Sequence, residues 1–126
     1  MNPHDKRHES RDDYLEAILR VIEEKGSCRS VDVARQLNVS KPSVSVALSK
    51  LETDGLAVLA EDKLIHLTDA GLAIAAETLA RHRWFKQFLM SAGVSEEIAE
   101  TEACAMEHMI SADTFEKLMT RYTAQV

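Results

Sequence analysis

Hydrophobic positions recur at helical spacing through most of this chain. Tyr14, Leu15, Ile18, Leu19 and Ile22 fall on one face of a helix predicted from about Arg11 to Glu24, with Gly26 as its stop. The residues before it, Met1 to Arg11, are polar and are expected to be mobile. A second helix is predicted from about Ser30, which can cap it, to Leu37, with Val31, Ala34 and Leu37 as its inner stripe. After a short Asn38-Val39 turn, Ser40 caps a third helix that opens on Lys41-Pro42. Proline is tolerated there because first-turn N–H groups have no helical partner. Val44, Leu48 and Leu51 form the buried stripe of this helix, and Gly55 ends it.

The period then changes. Leu56 to Ala60 and Leu64 to Leu67 are short β-runs joined by Glu61-Asp62-Lys63, the pattern of a hairpin or wing. Thr68 caps a long helix rich in alanine and leucine, from about Asp69 to Ala92, which Gly93-Val94 breaks. Ser95, with Glu96 and Glu97 in the first turn, starts another helix that ends near Ile110. Ser111 opens a last helix to about Tyr122. The result is a mostly α fold with a small β-wing.

Helix, helix, turn, helix, hairpin is the order of a winged helix-turn-helix, in which the third helix enters the DNA major groove. Charge agrees locally rather than globally. The chain carries a formal net charge of −6, which argues against a protein that coats nucleic acid generally. From Lys25 to Lys50, however, five basic residues (Lys25, Arg29, Arg35, Lys41, Lys50) meet one acid, Asp32. That basic stretch suits a phosphate-facing surface, although a solvated helix pair would also carry such lysines. Ser40 and Pro42 set the start of the third helix. Lys41, Ser43, Ser45 and Val46 are the groups there that can meet DNA, the serines by hydrogen bonds and Val46 at a thymine methyl. Lys41, Lys50 and Arg29 are read as phosphate contacts, and Lys63 at the wing tip as a backbone or minor-groove contact.

The second half carries different chemistry. In Glu102-Ala103-Cys104-Ala105-Met106-Glu107-His108, the residues Cys104, Glu107 and His108 stand at i, i+3 and i+4 and share one helix face. Thiol, carboxylate and imidazole together offer S, O and N donors to one transition metal. Asp13 and Glu16 form an i, i+3 acid pair on the first helix, and His82 lies within the long one. Taken singly, each has an ordinary alternative: acids favour helix N-termini, and a lone His or Cys is usually a packing residue.

The chain resembles the diphtheria toxin repressor and manganese transport regulator family of metal-dependent repressors. The resemblance rests on Asp12-Asp13-Tyr14-Leu15-Glu16-Ala17-Ile18, Val39-Ser40-Lys41-Pro42-Ser43-Val44, Leu67-Thr68-Asp69-Ala70-Gly71, Arg81-His82-Arg83 and the Glu102 to His108 segment, five motifs in the family's order. It implies a winged helix-turn-helix DNA-binding domain over residues 1–70 and a helical dimerisation and metal-binding domain over 71–126. Carried over by position, the implied metal ligands are Asp13, Glu16, His82, Cys104, Glu107 and His108, holding one or two ions of Mn(II) or Fe(II) per subunit. Cys104 matches the iron-type pattern, whereas Asp13 and Glu16 match the manganese type. Lys86 and Glu100 stand where the iron type's ancillary site has a carboxylate and a histidine. No SH3-like third domain is expected.

The implied function is a cytoplasmic, homodimeric repressor that binds palindromic double-stranded operators when loaded with metal and controls metal homeostasis genes. A dimer also suits the apolar residues Trp84, Phe85, Phe88, Leu89, Met90, Met106, Met109, Ile110, Phe115, Leu118 and Met119, more than a small helical appendage hides alone. Only two cysteines occur, which fits a reducing compartment, and a disulfide between them stays open. Neither a secretory signal nor a membrane-spanning run is expected. Two other readings remain. A small metalloenzyme would use similar donors, but there is no nucleophile–base pairing, phosphate loop or HExxH signature, so an enzyme is not expected. A metal-independent winged-helix regulator would sense a ligand or oxidant through Cys104.

Overall fold

The computed structural model describes residues 6–122, with side chains described from residue 11 onward. Its elements are α1 (Lys6–Lys25), α2 (Ser30–Leu37), α3 (Lys41–Thr53), β1 (Ala57–Leu59), β2 (Ile65–Leu67), α4 (Asp69–Ser91), α5 (Glu96–Met109) and α6 (Ala112–Tyr122). The chain divides into two compact units, Lys6–Glu77 and the residues from Thr78 onward. No helix among the described residues is long and apolar enough to cross a membrane. Cys28 and Cys104 are both free thiols, which closes the disulfide question.

In Lys6–Glu77, three helices and an antiparallel hairpin enclose one core. Leu15, Ile18 and Val21 of α1, Val33 of α2, Val44, Leu48 and Leu51 of α3, and Ala57 and Ile65 of the hairpin are all buried in it. The strands pair Ala57 with Leu67, Val58 with His66 and Leu59 with Ile65. With a side-chain period of two, this register sends Ala57 and Ile65 inward and leaves Val58 and His66 outside. The Ile65 N–H donates to Cys28 O at 2.8 Å, which ties the hairpin to the α1–α2 connection.

Several ends follow side-chain chemistry that the sequence shows. Ser40 Oγ accepts from the Ser43 N–H at 3.2 Å and caps α3, with Pro42 in the first turn. Asn38 ends α2 in the left-handed region (φ 55°), and the Val39 N–H reaches back to Ala34 O. Thr68 links the hairpin to α4: its hydroxyl donates to Gly55 O at 2.7 Å and accepts from the Gly71 N–H. A Cβ at Gly71 would run into the Leu56 backbone, so only glycine permits that approach.

Three expectations need correction. The segment Lys6 to Arg11 is helical rather than irregular, because it contains no proline or glycine to stop α1 propagating backwards; the expectation for Met1 to Asp5 lies outside the described residues. Arg29, not Ser30, is the N-cap of α2, because the Asp32 carboxylate accepts from the Arg29 N–H at 2.9 Å. That start rotates the helix so that Val33 is its buried residue while Val31 is 39% exposed.

From Thr78 onward, α4, α5 and α6 form a helical unit. Ala99 and Ala103, four residues apart and fully buried, give α5 a flat face for close packing. Ser95 and Ser111 cap α5 and α6 through the Ile98 and Thr114 N–H groups. An aromatic cluster fills the middle: Trp84 stacks on Phe88 at 5.1 Å and meets Phe85 and Phe115 edge-on.

Candidate functional site

Residues with binding chemistry sit on both units, and each unit is self-consistent. In Lys6–Glu77, the N-terminal face of α3 is solvent-exposed at Lys41, Pro42, Ser43, Ser45, Val46 and Lys50, while Val44 and Leu48 turn inward. Val46 is 72% exposed, an unusual position for an aliphatic side chain on a capped helix. Ser40 is occupied locally, since it caps the helix and donates its hydroxyl hydrogen to Ser43 Oγ at 2.9 Å. Ser49 extends the exposed face by one more turn. Sequence reasoning passed over it, although its i+3 spacing from Val46 was the available signal.

Around this helix, the cations are held in different ways. The Arg29 guanidinium donates to Asp62 O of the wing turn at 3.3 Å, so it braces the hairpin. Lys25 Nζ pairs with Asp32 Oδ1 at 2.7 Å. That bond, helped by the Arg29 N–H, holds the Asp32 carboxyl below the usual carboxylate range against the opposing effect of burial. Lys63 stands exposed at the wing tip with φ 71°. The Cys28 thiol is buried, and burial followed by the nearby Asp32 pushes it up to about 11 despite Lys25. It is a packing residue, not a reactive one. On α1, Asp13 and Glu16 stand one turn apart, and Arg20 Nε lies 3.8 Å from Glu16 Oε2.

The unit from Thr78 onward brings four donors together. The Sγ of Cys104, a carboxylate oxygen of Glu107 and a ring nitrogen of His108 lie within 4.8 Å of one another on the face of α5. His82 of α4 faces the same carboxylate, with Nδ1 3.5 Å from Glu107 Oε2. His108 Nε2 is 3.6 Å from Glu107 Oε1. On its other edge, His82 Nε2 lies 3.0 Å from Glu100 Oε1. His82 and Glu107 are 1% and 4% exposed. Neither ring nitrogen of His82 and neither carboxylate oxygen of Glu107 completes an aligned hydrogen bond. Burial disfavours the His82 imidazolium, but Glu107 and Glu100 outweigh it, and the net shift is upward.

A buried carboxylate and imidazole without aligned partners cost free energy unless something compensates them. Thiol, carboxylate and two imidazoles converging on one spot have the donor chemistry to hold a transition-metal ion, so the residues fit that group. The helix that carries Glu107 is itself clamped. Arg81 donates to the backbone oxygens of Glu107 (2.9 Å) and Ile110, and its guanidinium lies 5.4 Å from the Phe115 ring centroid. Arg81 closes the carbonyl end of α5, where a cation is favoured by the helix dipole.

Comparison with known proteins yields matches along nearly the whole chain. Residues 8–65 match the family described as iron dependent repressor, N-terminal DNA binding domain. Residues 68–123 match the iron dependent repressor, metal binding and dimerisation domain. The transcriptional regulator MntR of Escherichia coli O6:H1 is 41% identical over 110 residues, which are 87% of this chain and 71% of that protein. The iron-dependent repressor IdeR of Mycobacterium bovis is 34% identical over 107 residues, 84% of this chain and 46% of that one. A solved manganese-dependent transcriptional repressor in complex with manganese superposes with a TM-score of 0.79 at 25% identity. It matches 90% of this chain, which spans only about half (52%) of that longer protein.

Proposed function

The chain belongs to the iron dependent repressor family of metal-dependent transcriptional regulators, and from that premise we propose that it is a metal-activated repressor, loaded by Mn(II) or Fe(II), that binds palindromic operators as a homodimer and controls metal homeostasis genes. The observation that carries the reading is Glu107: a buried carboxylate without an aligned hydrogen bond, flanked by His82, Cys104 and His108. In this reading residues 1–70 bind DNA and residues 71–126 bind metal and dimerise. His82, Cys104, Glu107 and His108 hold the ion or ions, one or two per subunit, and Asp13 and Glu16 of α1 complete the ligand set. When bound, a divalent ion supplies the positive charge that the buried donors lack.

The chain's own residues do the rest. Glu107, an ionised Cys104, Asp13 and Glu16 contribute four negative charges, which repel one another until they are neutralised. Loading therefore selects the arrangement in which these residues act together, a population shift rather than a new fold. Free metal at about 100 times its dissociation constant favours that state by roughly 2.7 kcal/mol. Lys41, Ser43, Ser45 and Val46 read the major groove, and Arg29, Lys50 and Lys63 neutralise phosphate. A dimer presents two such helices, which suits a two-fold operator.

Glu107→Ala is the direct test. The expected result is a variant with native circular dichroism that binds DNA no better in Mn(II) than in chelator. A metal response equal to wild type would remove Glu107 from the ligand set. The double variant Lys41→Ala, Ser43→Ala should lose at least about tenfold in DNA affinity, the order of one base contact plus one phosphate contact. Its metal affinity should not change; a parallel loss of metal binding would show that the two roles are wrongly separated.

A further inference from the structure

Between Trp84 and Glu107 the chain has five acids (Glu96, Glu97, Glu100, Glu102 and Glu107) and one base, Lys86. That single ammonium is placed with care. Lys86 Nζ lies 3.0 Å from Glu100 Oε2 and 3.3 Å from Glu96 Oε1. Lys86 is one turn beyond His82 on α4, and Glu96 and Glu100 are one turn apart on α5. Glu100 uses its two oxygens on different partners, Oε2 on Lys86 and Oε1 on His82 Nε2 at 3.0 Å. His82 is thus held between two carboxylates, Glu100 at Nε2 and Glu107 at Nδ1.

Without its ammonium, this side of His82 would present two carboxylates and an imidazole nitrogen from two helices. That O, O, N set is suited to Mn(II), Fe(II) or Zn(II). We propose that Lys86 is a built-in cation that occupies the place among Glu96, Glu100 and His82 where a divalent ion would otherwise bind, so that the Nε2 side of His82 is closed to metal and only the Glu107 side remains open. The pairing also makes Glu100 a positioning residue. It orients the buried imidazole through Nε2, as carboxylates behind metal-binding histidines do, and leaves Nδ1 directed at Glu107. An ammonium and a divalent ion cannot share one pair of carboxylates, because like charges at contact distance repel strongly when partly buried. Lys86 is only 22% exposed, so solvent screens it less than an ordinary surface lysine.

This inference rests on the metal-centre reading above, and its test separates the two. Mn(II) binding is counted by equilibrium dialysis on the full chain for wild type, Lys86→Arg, Lys86→Glu, Lys86→Gln and Glu107→Ala. The expected result is one additional Mn(II) per chain in Lys86→Glu, the wild-type count in Lys86→Arg, and a reduced count in Glu107→Ala. Should Lys86→Glu fail to fold, Lys86→Gln is expected to show the same extra ion at higher free Mn(II). A wild-type count that falls in Glu107→Ala but does not rise in Lys86→Glu or Lys86→Gln would overturn the role of Lys86 and leave the metal centre standing. A wild type that binds no Mn(II) would overturn both.

Discussion

The two units of this chain treat buried polar groups in opposite ways. In Lys6–Glu77, the buried residues form one apolar cluster, and Glu16 is the sole charged side chain among the buried ones described. From Thr78 onward, Thr78, His82 and Glu107 are buried, and Arg81 Nε, Trp84 Nε1, both His82 nitrogens and both Glu107 oxygens lack aligned hydrogen bonds. The second unit also leaves Ile98, Met109 and Met119 exposed. The first unit is built for stability and presents its chemistry on the surface. The second keeps chemistry inside, at a cost to its own stability, which is the usual sign of a binding centre.

The largest effect that tests this contrast is on stability. Ile18→Ala, in the core of the first unit, should cost about 2–5 kcal/mol, read from urea unfolding. Glu107→Leu, measured in chelator, should cost little or stabilise, because an acid without aligned partners is replaced by an apolar side chain of similar size. Equal losses in both variants would mean that Glu107 is satisfied in the metal-free protein and that the contrast is wrong.

The same contrast explains what could be read from sequence. Core positions such as Ile18, Val44, Leu48 and Leu51 follow helical periodicity, and Ser40, Pro42, Thr68, Ser95 and Ser111 mark helix starts because local rules act on neighbours. The α2 start was misread for the same reason: Ser30 and Asp32 are both good capping residues, and the choice between them depends on the Arg29 backbone angle and on Lys25, seven residues before Asp32. In the second unit, Cys104, Glu107 and His108 were legible because they share one turn of helix. The contact of His82 with Glu107 and Glu100, and the clamp of Arg81 on α5, join positions 18–29 residues apart, which no local pattern encodes.

The two cysteines sharpen the comparison at smaller scale. Cys28 is fully buried and its thiol is pushed up to about 11, whereas Cys104 is half-buried on the ligand face. Iodoacetamide in chelator should therefore label Cys104 first and reach Cys28 only on unfolding. Mn(II) or Fe(II) should slow labelling of Cys104 severalfold. Unchanged labelling in saturating metal would remove the thiol from the ligand set.

The smallest effect lies in the first unit. Lys25 and the Arg29 N–H hold the Asp32 carboxyl below its ordinary value. The folded pKa is lower than the unfolded one, about 3.9. The pair therefore stabilises the unit above that pH, and its contribution is lost as the pH falls through the folded value. Lys25 is half-exposed, so the pair is worth about 0.2–1 kcal/mol. Asp32→Asn should lower the urea midpoint slightly at pH 7 and leave it unchanged near pH 2. A constant difference across that range would assign the effect to the α2 cap alone.

Metal control of DNA binding is the central claim, and one titration tests it most directly. The full chain is added to a pool of random fluorescent duplexes, and anisotropy is read with anaerobic Fe(II) or Mn(II) and in chelator. The account predicts selection of a palindromic site only with metal. Equal binding and selection in chelator would contradict it, and would leave a winged-helix regulator governed by something other than metal.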